Sequence, residues 1–119
     1  MNDETREKIL EFDKQSKSGV GVHMFKFTRP SDNDTIYIAS EVTDENSILD
    51  VKFSQWSKSF SFDDDAEKDD RRFKQQPSHL KVIWKPIYKF SSGRVAMVAV
   101  VALFHSGYEM SIVDAESRE

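Results

Sequence analysis

The chain has 119 residues, of which 38% are hydrophobic and 12% aromatic, enough for one domain with a packed core and too few for two. It contains no cysteine, which excludes disulfides, thiolate nucleophiles and cysteine-ligated metal centres together. A net charge of −4 argues against a molecule that binds polyanions with its whole surface.

Residues 3–17 are predicted to be helical. Asn2 or Asp3 can cap the start, acids crowd the first turn, Glu4 and Lys8 stand at i,i+4, and Gly19 can end the helix. The apolar stripe (Ile9, Leu10, Phe12) is thin, which places this helix on the surface of the domain. Residues 20–29 and 35–42 are rich in β-branched and aromatic side chains around the turn formers Pro30 to Asp34, and they predict a β-hairpin.

In residues 46–58, Leu49, Phe53 and Trp56, continued by Phe60, fall at i, i+4, i+7 and i+11. That spacing is one face of a helix, and Thr43 or Asp44 can cap it. Residues 61–76 open with Asp63, Asp64, Asp65, Glu67, Asp69 and Asp70 and close with Arg71, Arg72 and Lys74. This order suits a charged surface helix or a mobile loop, ended in either case by Pro77.

From His79 to Phe90 the pattern has period two. Leu80, Val82, Trp84, Pro86, Tyr88 and Phe90 share one face, and His79, Lys81, Ile83, Lys85, Ile87 and Lys89 the other. Ser91 to Gly93 is expected to turn the chain. The ten residues Val95 to Phe104 are apolar throughout and are expected to form a central strand covered on both faces. A last strand, Tyr108 to Val113, precedes a frayed tail over 114–119.

The fold class that follows is a single α+β domain over 1–119. It has a mainly antiparallel five-stranded sheet with helices on one face, in the order α-β-β-α-(α)-β-β-β. That order resembles the broad roadblock, profilin and PAS group of α+β folds, a likeness of element order that implies no residue roles.

No catalytic constellation emerges. Gly19-Val20-Gly21 lacks the further glycine of a phosphate loop and leads into a strand. His23, His79 and His105 are separated, with no short ligand pair, so no metal is expected. The aspartate cluster lacks the mid-loop glycine and closing glutamate of a calcium loop. Ser54, Ser57, Ser59 and Ser61 have no nucleophile elbow around them. The chain is therefore expected not to be an enzyme and to carry no cofactor.

Charge is the strongest remaining signal. Residues 1–70 carry a net −8, whereas residues 71–94 hold seven bases and no acid. Lys81, Lys85 and Lys89 line one face of the predicted strand with Ile83 and Ile87 between them; Arg71 and Arg72 precede it and Arg94 follows. Lysines there, together with Pro86, also guard an exposed strand edge against unwanted pairing.

As a functional surface this row predicts a binding module of the inhibitor, immunity, regulatory or chaperone kind, engaging an acidic protein partner. Nucleic acid is the alternative partner, disfavoured because Trp84, Tyr88 and Phe90 are expected to point into the core and away from the lysines. A small-molecule sensor ranks third. The second face of the expected apolar strand, with Ile83 and Ile87, calls for either a homodimer partner or the N-terminal helix. MNDETREK lacks the apolar stretch of a secretory leader, and the longest apolar run is about half a membrane span. A soluble cytoplasmic protein without a membrane partner is expected.

Overall fold

Asn2 begins the first helix by accepting the Thr5 amide on its side-chain oxygen at 2.7 Å, and Asp3 and Glu4 complement the positive end of the helix. Helix α1 runs Asp3–Ser16. The computed structural model describes residues 2–43, 51–62 and 80–113. Strands β1 (Gly21–Arg29) and β2 (Asp34–Val42) form the expected hairpin, with Phe25 opposite Ile38 and Phe27 opposite Ile36. Its turn is built by Asn33 in the left-handed region (φ 59°) and by Arg29, which chelates the Asp32 carboxylate at 3.0 and 2.8 Å. Strands β3 (Lys52–Phe62) and β4 (Leu80–Lys89) make a second, longer hairpin; helix α2 (Gly93–His105) and strand β5 (Glu109–Val113) complete the chain. Every pairing is antiparallel, and the strand order is β4-β3-β2-β1-β5.

The α+β class and the five-stranded antiparallel sheet are as expected. Two elements differ, and they exchange type. The predicted helix over 46–58 is, in its described part, strand β3: Phe53 points to the helices while Trp56 and Phe60 point the other way. The helical spacing of these residues was a coincidence of aromatics placed on both faces of one strand.

The predicted central strand Val95 to Phe104 is helix α2. Ser92 caps its start, accepting the Val95 amide at 3.2 Å. Gly107, at φ 91°, closes its end in a Schellman arrangement, with Gly107 N–H donating to the Phe104 carbonyl and Tyr108 N–H to that of Leu103. With α2 placed there, the described order is α-β-β-β-β-α-β, which removes the basis for a resemblance in element order. The expectation of a doubly covered apolar strand goes with it, and so does the homodimer argument that rested on that strand. The 63–76 segment, Asp44, residues 46–50, His79, Arg71, Arg72 and the 114–119 tail lie outside the described residues.

Both helices pack on one face of the sheet. Phe12 of α1 is fully buried, with its ring centroid 4.9 Å from Phe25 and 5.9 Å from both Phe27 and Phe53. Ala96, Val100 and Phe104 supply the buried stripe of α2, and Phe104 lies 5.7 Å from Phe27. The end of α1 is tied to β2 by a buried bond in which the Ser40 hydroxyl donates to the Ser16 carbonyl at 3.0 Å. That carbonyl is one of the helix-end acceptors with no partner inside the helix.

Candidate functional site

Antiparallel register and strand alternation determine which side chains occupy the face of the sheet opposite α1 and α2, the helix-free face as far as the described residues go. On β1 and β2 these include Met24, Lys26, Thr28, Tyr37, Ala39 and Glu41, because Phe25, Phe27, Ile36 and Ile38 take the helix side. Across β3 the set continues with Lys52, Ser54, Trp56, Lys58 and Phe60. One row runs over all five strands as Ser111, Lys26, Tyr37, Trp56 and Pro86.

On β4 an irregularity decides the placement. Gln55 faces Tyr88 and Trp56 faces Pro86, leaving Ile87 as an extra residue in the ladder, a β-bulge. Strict alternation through β4 is therefore broken. Val82, Trp84 and Pro86 lie on the helix-free face with Lys89, while Lys81, Ile83 and Lys85 share the helix side with Tyr88. Phe90, which stacks edge-on with Tyr88 at 5.0 Å, follows it to that side.

The predicted row of three lysines is thus split two and one by the bulge. Trp84, expected in the core, sits on the opposite face. Ile87 is exposed at the bulge, and Arg94 is exposed in the first turn of α2. The edge position expected of this strand from Pro86 and its lysines is observed, since β4 ends the sheet.

The result is an aromatic and cationic platform. Tyr37 and Trp84 meet edge-to-face at 5.0 Å. The Lys58 ammonium lies 6.0 Å from the Tyr37 ring centre, 5.5 Å from Phe60 and 5.6 Å from Trp84, within cation–π range of all three. Trp56 is oriented by its indole N–H, which donates to the Ser54 hydroxyl at 2.7 Å. The Trp84 indole N–H is buried and has no acceptor among the described residues. Burial pushes the Tyr37 phenol above its ordinary value, so it remains a neutral hydrogen-bond donor at physiological pH.

Met24 and Ala39 lie on this face and are only 4% and 3% exposed, so the face is covered at its β1–β2 part and more accessible at β3 and β4, where Phe60 is 61% exposed. Beside the bulge, Trp56, Pro86, Ile87, Lys52, Lys89 and Glu41 line a groove of about 380 Å³.

Lys26, Lys52 and Lys58 do not stand out as a group in the sequence, because they lie on two different strands. The platform draws them from β1 and β3, and the signal that finds the β3 pair is the alternation Lys52, Ser54, Trp56, Lys58 in Lys-Phe-Ser-Gln-Trp-Ser-Lys once β3 is read as a strand. Among the described residues, no three histidine, aspartate or glutamate side chains converge as a metal site would need, and no helix is long and apolar enough to cross a membrane. Comparisons with protein-family models, curated proteins and solved structures find no match.

Proposed function

We propose that the protein is a non-enzymatic binding module whose helix-free sheet face receives single-stranded nucleic acid. The observation that supports this reading is that the half-buried Tyr37, Trp56 and Trp84 share with Lys26, Lys52, Lys58 and Lys89 one face that carries no helix among the described residues. Unpaired bases stack on exposed aromatic rings while ammonium groups follow the phosphates. A duplex offers neither free base faces nor a shape that matches a flat sheet. The absence of a glycine loop or a nucleophile–base pair in the sequence suits binding better than chemistry.

A second reading, an acidic protein partner, is favoured by Lys81 and Lys85, which are exposed on the helix side of the β4 edge with Ile83 between them. One experiment separates the two. Labelled single- and double-stranded oligonucleotides of equal length are titrated with protein from about 50 to 200 mM salt, because phosphate neutralisation releases counterions and makes affinity fall with salt. Single strands are expected to bind more tightly than duplex. Trp56→Ala is expected to raise Kd roughly five- to a hundredfold, the cost of about 1–3 kcal/mol for one stacked base, and Lys81→Glu with Lys85→Glu is expected to change it little. Binding lost in the double lysine variant but kept in Trp56→Ala would move the ligand to the β4 edge. No single-strand binding at the lowest salt would retire nucleic acid.

A further inference from the structure

The two edges of the sheet are built differently. The β4 edge carries Lys81, Lys85, Lys89, Pro86 and a bulge, each of which obstructs the pairing of another strand. The β5 edge, Glu109–Val113, has the sequence EMSIV with one charged residue, no proline and no lysine, and its register with β1 is unbroken from Met24 opposite Val113 to Thr28 opposite Glu109. Ser111 is exposed and Ile112 is 53% exposed. We propose that this edge pairs with the same edge of a second copy of the chain, forming a symmetric dimer with one continuous ten-stranded sheet. This inference goes beyond the binding reading and stands without it.

The sequence of β5 is self-complementary about Ser111. In an antiparallel pair with its two-fold axis at that residue, Ser111 faces Ser111 of the second copy, Met110 faces Ile112, and Glu109 faces Val113. The two acids fall at opposite ends, so no like charges oppose each other, and the Met110–Ile112 pairs lie together on the helix side, where both side chains already point. Such a two-fold interface is isologous, the commonest closed arrangement for small soluble proteins. It pairs the outward backbone donors and acceptors of β5, which have no strand partner among the described residues, and keeps both helix-free faces on the same side of the joined sheet.

Position 111 also supplies the test, because the chain has no cysteine. Residues directly opposite in an antiparallel pair have Cα atoms about 4.5–5.5 Å apart, inside the range a disulfide spans. Ser111→Cys is expected to convert to a disulfide dimer under mild oxidation at micromolar concentration. Ser59→Cys, equally exposed but on the β3 arm, is expected to stay monomeric under the same conditions. Sedimentation equilibrium of the unmodified chain is expected to give the mass of a dimer. Ser111→Lys, which sets two ammonium groups face to face, is expected to raise the dimer Kd at least about tenfold with an unchanged circular dichroism spectrum. A monomer mass for the unmodified chain at high micromolar concentration, or Ser59→Cys cross-linking as fast as Ser111→Cys, overturns the proposal.

Discussion

Ser40 is fully buried near the end of β2, and its hydroxyl satisfies the carbonyl of the equally buried Ser16. Ser40→Ala removes that donor and leaves the carbonyl sealed from water, so it is expected to lower unfolding stability by about 1–3 kcal/mol, read from the urea midpoint at constant m-value. Tyr108 is a second residue whose role is fixed by its partners. Its hydroxyl donates to Asp34, and its ring lies 5.0 Å from the Arg29 guanidinium, which itself holds Asp32. The bond to Asp34, with burial, raises the phenol above its ordinary value. A group whose pKa is raised on folding stabilises the fold fully below its unfolded value and loses that contribution as pH climbs through the folded one. Stability is therefore expected to fall above about pH 10. The fall should be shallower in Tyr108→Phe, and the difference between the two urea midpoints against pH isolates this hydroxyl from the lysines and the other tyrosines.

Among the elements, β4 depends on one extra residue. Deleting Ile87 leaves Pro86 opposite Trp56 and Tyr88 opposite Gln55, a regular ladder with every neighbouring side chain on its present face. That deletion is expected to cost less than about 1 kcal/mol, whereas deleting Lys85 regularises the ladder only by turning Pro86 to the helix side opposite Ser57 and setting Ile87 opposite Trp56, and is expected to cost more. Sedimentation velocity and thermal melts of the two deletions check this. The same bulge marks where sequence reading stops. Alternation located β4 as an edge strand from Pro86 and its lysines, and the turn residues before Asp34 located the first hairpin. Nothing in Lys-Pro-Ile-Tyr-Lys announces that the ladder slips by one, because a bulge is set by the partner strand. Helix α2 was legible in principle. An apolar run is ambiguous between buried strand and helix, but Ser92 before it and Gly107 after it are a cap at each end, and that signal outweighs uniform hydrophobicity.

At the scale of the molecule, charge is shared unevenly between the faces. Among the described residues Lys26, Lys52, Lys58 and Lys89 outnumber Glu41 and Glu109 on the helix-free face, whereas α1 on the other mixes Asp3, Glu4, Glu7, Glu11 and Asp13 with Arg6, Lys8 and Lys14. A net charge of −4 thus conceals a locally positive surface, which is what an anionic ligand meets on approach. This division also explains why the candidate site was only partly readable. A row of lysines can be counted along one strand, but a platform gathered from separate strands exists only once their order and register are known.

That order has a consequence for how the chain is made. Strand β1 leaves the ribosome well before its outer partner β5, and Phe27 waits for both Met110 beside it and Phe104 above it. Chains form domains from the N-terminus as they emerge, and distant pairings are the slow ones. Until β5 emerges, therefore, the β1–β2–β3–β4 meander carries an open flank beside Phe25 and Phe27, and residues 104–113 act as the latch that closes it.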